Sequence, residues 1–128
     1  MMGDLSRNFS KAEFACPCCG QANMDDDFIL RLQLVRTDLG VPFSPVRGGG
    51  YRCALYLRET NNEYSAHGEG KAIDPDLDRR HYHAFMRLCL RYGFTGFGMK
   101  QKSGQFQIHV DTAQEIPGKR PRPWAWTY

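Results

Sequence analysis

Apolar residues recur at helical spacing in two stretches of the chain, residues 26–39 and the stretch between Asp78 and Gly93. The first stretch begins with acidic residues, which the helix dipole favours at an N-terminus, and Gly40 after it is a common C-terminal stop. Asp78 and Gly93 are the corresponding capping and stop residues of the second stretch. We therefore predict two helices that each bury one face. The predicted buried residues are Phe28, Leu32, Val35 and Leu39 in the first helix and Tyr82, Phe85, Cys89 and Tyr92 in the second.

Other signals predict two shorter helices and at most one edge strand. Ser10 and Glu13 have the spacing of a capping box, which predicts a short helix that ends near Cys16. A second short helix is expected at 53–62. Residues 41–46 are apolar but interrupted by prolines, so we expect an edge strand there at most.

Short apolar runs predict the strands. Residues 72–74 read as a short buried strand, and 94–99 and 105–110 as two more that are joined by a polar turn at 101–104. The tail at 118–128 is basic and aromatic, and we expect it to pack back on the domain because large aromatic side chains are usually buried. Helices packed on a small, mostly antiparallel sheet indicate an α+β domain.

Composition narrows the class of protein. The chain has 128 residues and a mass of 14.7 kDa, so we expect a single domain over 1–128. Its 41% of hydrophobic and 24% of charged residues exclude a disordered tail, a collagen-like repeat and a coiled coil. The net charge of +3 is too small to argue for nucleic-acid binding. No apolar stretch reaches the roughly 20 residues of a membrane span, and the N-terminus lacks the apolar core of a secretory signal.

Two segments carry residues that can bind a metal ion. His67 and Asp74 lie seven residues apart, and the glycines between them allow a tight bend that would bring both side chains to one point. On a strand, His109 and Asp111 face the same side. Two histidines and one carboxylate are a usual ligand set of a catalytic zinc site, which keeps its fourth position open for water. Spacing alone leaves open a second interpretation, in which these are ordinary surface or hydrogen-bonded groups.

The order of these motifs resembles that of a known family. Residues 65–74 read Ser-x-His-x-x-Gly-x-Ala-x-Asp, and His-Val-Asp follows at 109–111. Segments 9–14, 50–52 and 97–99 are similar to further motifs of that family in the same order. The chain therefore resembles the zinc D-alanyl-D-alanine peptidase family over most of its length. This family includes D,D-carboxypeptidases, murein endopeptidases and phage endolysins, and it shares its fold with the hedgehog signalling domain.

The resemblance implies a role for each matching residue. It implies that His67, Asp74 and His109 bind Zn²⁺, which polarises a scissile carbonyl and lowers the pKa of its water to ~7. Ser65 would hold the ligand loop. Arg52 would pair with a substrate carboxylate or the developing oxyanion, for which a planar guanidinium is suited. The implied substrate-binding residues are Arg52, Tyr51, Ser65 and Gln107.

One position departs from the family pattern. Many members carry a carboxylate three residues before the last zinc histidine as general base, and here that residue is Phe106. Gln107, which follows it, cannot accept a proton at neutral pH. Asp111 is therefore the first candidate for the general base, and Glu69 on the ligand loop is the second. Asp111 has an alternative role, in which it orients a metal ligand.

The cysteines allow three interpretations. Cys16, Cys18 and Cys19 lie close together, and with Cys53 they could bind a second, structural zinc ion. They could instead be buried thiols that pack under a turn. In the third interpretation, Cys16 or Cys18 forms a disulfide with Cys53 after release into an oxidising compartment.

We therefore expect a zinc-dependent hydrolase that cleaves stem or cross-link peptides of peptidoglycan, as a carboxypeptidase or an endopeptidase of a phage or prophage. Its partner would be a peptidoglycan peptide, with no nucleic acid and no membrane insertion. We expect a monomer without a signal peptide, made in the bacterial cytoplasm and acting at the cell wall after release or as part of a virion. The alternative is a non-catalytic, zinc-containing module that binds cell-wall peptide, which the missing carboxylate at Phe106 favours. The sequence leaves open which peptide bond is cleaved.

Overall fold

The structure is a computed structural model that describes residues 3–102 and 106–128. Its α-helices are α1 (Asp26–Leu39), α2 (Ala54–Glu59) and α3 (Tyr82–Arg91), and its 3-10 helices are Lys11–Phe14, Ala66–Glu69 and Arg79–His81. Its strands are β1 (Ala72–Ile73), β2 (Gly96–Lys100), β3 (Gln107–Asp111) and β4 (Trp124–Thr127). No helix in the described part of the chain combines the length and the apolar character needed to cross a membrane.

Helix α1 confirms the first predicted helix at both ends. The carboxylate of Asp25 accepts a hydrogen bond from the backbone N–H of Phe28 at 2.9 Å, which satisfies one of the free N–H groups of the first turn. Gly40 follows the last residue with a φ of 70°, the left-handed conformation typical of a helix C-terminus. The predicted face is buried at Phe28, Leu32 and Val35 and half-buried at Leu39.

Helix α3 packs against α1 and confirms the second predicted helix, with one difference at its start. The carboxylate of Asp78 accepts from the backbone N–H of Arg80 at 3.0 Å and caps the 3-10 turn Arg79–His81, which then continues into the α-helix. The helix ends before Gly93, whose φ is 83°. Its inner face is buried at Tyr82, Phe85 and Cys89, and it is half-buried at Tyr92.

The two shorter helices differ from their predicted form. Lys11–Phe14 is a 3-10 helix, in which the carboxylate of Glu13 accepts from the backbone N–H of Ser10 at 2.9 Å. Helix α2 is shorter than the predicted range 53–62, because its last helical residue is Glu59.

The strands form one mixed sheet in the order β1–β3–β2–β4. Strand β3 pairs antiparallel with both β1 and β2, which agrees with the predicted mostly antiparallel sheet, whereas β4 pairs parallel with β2. Strand β4 comes from the aromatic tail, which confirms that the tail packs back on the domain, but Trp124 and Tyr128 remain 49% and 38% exposed instead of buried. Residues 41–46 add no strand to this sheet, since prolines interrupt the run. The polar turn predicted at 101–104 lies partly outside the described residues. The class is α+β, as predicted.

The two faces of the sheet have different surroundings. On one face, Phe97, Ile108 and Val110 are buried in the main hydrophobic core together with the apolar faces of α1 and α3. The alternate positions of β2 and β3 point to the opposite face, since successive side chains of a strand alternate. These positions carry Gly96, Gly98, His109 and Asp111. The sheet therefore separates the hydrophobic core from a polar face that carries the candidate chemistry.

Candidate metal centre

Three side chains that the sequence predicts as metal ligands meet in the structure. His67 lies in the 3-10 helix Ala66–Glu69, Asp74 directly follows β1, and His109 lies in β3. A nitrogen of each histidine and a carboxylate oxygen of Asp74 all lie within 4.8 Å of one another. Each of the three residues is at most 7% exposed. This group, which we call the histidine–aspartate group, could hold a metal ion.

The local chain path explains how Asp74 reaches the two histidines. The hydroxyl of Ser65 accepts from the backbone N–H of His67 at 3.2 Å and begins the 3-10 helix. Gly70 ends that helix with a φ of 69°, a conformation that favours glycine, and the chain turns back toward the sheet. It then enters β1, which pairs with β3. Asp74, the residue after β1, therefore lies beside His109, and the bend predicted from the glycines is present.

The ring of His67 is held by Nδ1, the nitrogen that points away from Asp74. Its Nδ1 lies 2.7 Å from the carbonyl oxygen of Gly50. A carbonyl oxygen only accepts, so Nδ1 carries the proton and donates it. Burial lowers the pKa of His67, which favours the neutral ring. Its unprotonated Nε2 then faces Oδ1 of Asp74 at 3.3 Å, and two facing acceptors of this kind are stabilised by a cation between them.

The ring of His109 is also held by the nitrogen that points away from Asp74, which in this residue is Nε2. Its Nε2 lies 2.7 Å from Oδ2 of Asp111, and its Nδ1 lies 3.0 Å from Oδ1 of Asp74. Burial lowers the pKa of His109, but these two carboxylates outweigh burial and raise the pKa to about 9. In the metal-free protein, His109 therefore holds a proton on Nδ1 that points at Asp74. A metal ion would take the place of that proton.

The carboxylate of Asp111 lies behind His109 and is 0% exposed. It accepts from Nε of Arg122 at 3.0 Å and from Nη2 at 2.7 Å, a bidentate pair. Gly96, opposite Asp111 in the register of β2 and β3, leaves room for this pair, because a Cβ there would overlap both side chains. Burial raises the pKa of Asp111, but His109 and Arg122 outweigh burial and hold that pKa well below its ordinary value. The geometry favours the predicted role of Asp111 in orienting a ligand over its role as general base, because Arg122 and His109 occupy its oxygens.

The histidine–aspartate group opens into a cleft of about 380 Å³. Arg52 lines the cleft, where its Nη2 donates to Oδ2 of Asp74 at 3.1 Å and its Nε donates to the carbonyl of Gly48 at 2.7 Å. Ser65 and Gln107, two of the predicted substrate-binding residues, also line it. The remaining lining residues are Asn62, Lys100, Trp126 and Tyr128.

Two predicted site residues lie outside this cleft. Tyr51 and Glu69 line a separate cavity, and the carboxylate of Glu69 pairs with Arg120 at 2.5 Å. The structure therefore does not support Glu69 as general base or Tyr51 as a cleft residue. Phe106, where the family pattern has a carboxylate, is 48% exposed, and the guanidinium of Arg79 lies 4.2 Å above its ring.

The tail contributes two aromatic side chains to the site that were not predicted from the sequence. The ring centroid of Trp126 lies 5.3 Å from that of His109, and the indole packs against Gly98, where a Cβ would overlap it. Tyr128 also lines the cleft, and burial raises its pKa to about 12. The signal that could have found them is the alternation of aromatic residues at Trp124, Trp126 and Tyr128, which has the period of a strand.

A second group that could hold a metal ion consists of Cys16, Cys19 and Cys53, whose sulfur atoms lie within 4.8 Å of one another. Cys16 is buried, Cys53 is half-buried and Cys19 is exposed. Burial raises the pKa of the Cys16 thiol, but backbone N–H donors, first that of Cys53, outweigh burial and lower the pKa to about 7. All five cysteines lie in the described part of the chain, and none of them forms a disulfide there.

Comparison of the chain with protein-family models, with curated proteins and with solved structures finds no match in any of the three. The support for a function therefore lies in the geometry of the candidate metal groups and of the residues around them.

Proposed function

We propose that the chain is a zinc-dependent hydrolase that cleaves peptide bonds of peptidoglycan peptides. The observation that carries this proposal is the meeting of His67, Asp74 and His109 at an open cleft. Catalytic zinc sites use three protein ligands and leave one position for water or substrate, whereas structural sites are usually closed by four. Three ligands beside a cleft therefore suit a catalytic role better than a structural one.

The residues of the histidine–aspartate group suit zinc. Two imidazole nitrogens and one carboxylate oxygen are ligands that zinc accepts in proteins. Nδ1 of His67 is bound by the carbonyl of Gly50, and Nε2 of His109 is bound by Asp111. These bonds fix the tautomer of each ring and direct its other nitrogen to Asp74. Zinc bound there supplies Lewis acidity toward a peptide carbonyl and toward water at neutral pH.

We assign substrate binding to Arg52. Its Nε and Nη2 are bound by Gly48 and Asp74, so the side chain is held in one orientation at the edge of the cleft. A guanidinium carries five N–H donors, and its planar fork suits a carboxylate. Lys100 adds a second positive charge to the lining. A stem peptide with a free carboxylate would be bound there, with its neighbouring amide beside the histidine–aspartate group.

The proposal gives Asp111 a positioning role rather than a catalytic one. Asp74 has the only side-chain carboxylate among the described residues that line the cleft, and it belongs to the histidine–aspartate group. Asp111 acts on the site through His109, whose ring it orients and whose Nε2 proton it accepts. Catalysis would then depend on the acidity of the metal ion and on Arg52, without a carboxylate dedicated to proton transfer.

A second candidate function is a non-catalytic module that binds cell-wall peptide. This alternative is favoured by the same observation, that no side-chain carboxylate other than that of Asp74 lines the cleft within the described residues. Arg52 and the histidine–aspartate group would then hold a peptide carboxylate without turnover.

Purified muropeptides distinguish these two functions. Zinc-loaded protein, chelated protein and the His109→Ala variant would each be incubated with muropeptides, and the products analysed by mass spectrometry, while calorimetry measures binding. We expect cleavage by the zinc-loaded protein alone, and the product masses identify the bond. His83→Ala is the matched control, because His83 is exposed on α3 and should leave cleavage unchanged. Binding without cleavage would support the second function, and the absence of both would contradict both.

A further inference from the structure

The cysteines near the N-terminus form a second cluster, which the proposed function does not use. Cys16 and Cys19 lie in the turn that follows Lys11–Phe14, and Cys53 is the N-cap residue of α2. Their three sulfur atoms lie within 4.8 Å of one another. The backbone N–H of Cys53 donates to Sγ of Cys16 at 3.4 Å, across a sequence separation of 37 residues. The fold thus brings thiols from two distant segments to one point.

The turn itself is shaped to present two of these thiols on one side. Residues 16–20 read Cys-Pro-Cys-Cys-Gly, so that Cys16 and Cys19 have the Cys-x-x-Cys spacing of structural zinc sites. The backbone N–H of Gly20 donates to the carbonyl of Cys16 at 2.8 Å and closes the turn. The N–H of Cys16 donates to the carbonyl of Gln21 at 2.7 Å, which holds the turn from the other side.

We propose that this cysteine cluster is a structural zinc site, with Cys16, Cys19 and Cys53 as three thiolate ligands and Cys18 as the fourth. Structural sites are usually closed by four ligands, and Cys18 is the remaining, exposed thiol of the same turn. Three converging thiols suit a metal ion better than a disulfide, because a disulfide joins two sulfurs and leaves the third without a partner. This proposal stands on the cluster alone and does not depend on the proposed hydrolase activity.

The zinc ion would fasten the N-terminal turn to residues 50–53. These two segments already run together, since the backbone N–H of Tyr51 donates to the carbonyl of Phe14 at 2.9 Å. Within the same segment, the carbonyl of Gly50 holds the ring of His67. Metal bound by the cysteine cluster would therefore stabilise the backbone that orients one ligand of the other group.

The test counts metal ions and identifies their ligands. Protein purified under reducing conditions would be loaded with zinc, freed of excess metal and analysed by elemental mass spectrometry. We expect two zinc ions in the wild type, one in Cys19→Ser and one in His67→Ala. Cobalt replacing zinc should give thiolate-to-cobalt charge-transfer absorption in the wild type and in His67→Ala but not in Cys19→Ser. Cys89→Ala is the matched control, because Cys89 is a buried thiol of α3, and it should match the wild type in both measurements.

Three results would overturn the proposed zinc site, and a fourth would overturn the assignment of Cys18. Cys19→Ser could hold as much zinc as the wild type, or the charge-transfer absorption could be absent from His67→Ala, which keeps every cysteine. The zinc-loaded wild type could show a disulfide in its intact mass. Chelator competition tests the fourth ligand separately: Cys18→Ser should release its thiolate-bound metal at a lower chelator concentration than the wild type, and unchanged release would remove Cys18 from the ligand set.

Discussion

The side chains of the two candidate metal groups are held in place by different parts of the fold. In the histidine–aspartate group, the three side chains come from three separate segments around the polar face of the sheet, and Gly50 and Asp111 hold the far side of the two imidazoles. In the cysteine cluster, most of the thiols lie in one tight turn, and the backbone of that turn positions them. The first group opens into a cleft, whereas no cysteine lines that cleft.

If the two groups have the proposed roles, this difference would let a small domain separate a reactive site from a structural one. A ligand that must keep its geometry while substrate enters needs support from side chains and strands that do not move. A ligand that only closes a loop needs a turn of the right shape, because metal binding itself supplies the stabilisation. The comparison therefore predicts that changes around the first group alter chemistry and affinity, and that changes in the second alter stability.

The largest effect is expected from removing a ligand of the histidine–aspartate group. His109→Ala leaves two ligands, so the zinc content should fall by one ion and cleavage of muropeptides should fall to background. Elemental mass spectrometry and the cleavage assay measure the two quantities. Cys19→Ser is the counterpart in the other group and should also lose one zinc ion while it keeps most of the cleavage. Equal loss of cleavage in both variants would contradict the expectation that cleavage depends on the histidine–aspartate group and not on the cysteine cluster.

The next effect concerns the buried pair behind His109. Arg122→Met leaves the carboxylate of Asp111 buried without its guanidinium, and breaking such a pair costs about 3–5 kcal/mol. Urea unfolding of the metal-free protein measures the loss. Arg91→Met removes an exposed guanidinium at the end of α3 and should change the free energy of unfolding by less than about 0.5 kcal/mol. A loss for Arg122→Met as small as that of the control would mean that the pair does not support the site.

The role of Asp111 is tested by a smaller change. Asp111→Asn keeps the shape of the side chain but removes its charge, so His109 should be less firmly oriented and less basic. We expect zinc affinity at the histidine–aspartate group to fall by roughly 10–100-fold in chelator competition. Asp76→Asn, an exposed carboxylate near the same segment, should leave affinity unchanged. If Asp111 were the general base, zinc affinity would stay the same and turnover with zinc fully bound would fall.

The elements that the sequence predicts correctly are those with a local signal. Helix α1 follows from the spacing of Phe28, Leu32 and Val35 and from Asp25 and Gly40 at its ends, all of which act within one or two turns. The glycines between His67 and Asp74 and the strand spacing at His109 are equally local signals, but the choice of these three residues as one group came from the resemblance of the motifs to a known family. Their convergence also depends on the pairing of β1 with β3, which the structure shows and which no local pattern specified.

The parts that escaped prediction depend on contacts between distant segments. The parallel pairing of β4 with β2 places Trp126 beside His109, and no local pattern specifies which strand the tail joins. The role of Asp111 depends on Arg122, which reaches it only because β4 is docked in this register. Glu69 was a candidate base because it lies close to His67 in the sequence. Its side chain turns toward Arg120, a contact between distant segments that the sequence does not reveal.

The smallest effect is expected at Asp78, which supports neither group and so tests whether metal content merely follows overall stability. Its carboxylate accepts from the backbone N–H of Arg80, which holds the pKa of Asp78 below its ordinary value. A depressed carboxyl pKa contributes stability above the unfolded pKa of about 4 and loses it as the pH falls through the lower folded value. In thermal unfolding of the metal-free protein, Asp78→Ala should therefore be less stable than the wild type at neutral pH, with the difference shrinking toward about pH 3.

Asp78→Asn keeps a capping side chain that does not titrate, so it should lose less stability than Asp78→Ala at neutral pH. Both variants should still bind two zinc ions, because the cap lies away from both groups, and loss of either ion would show that occupancy reports global stability rather than the local support of each site.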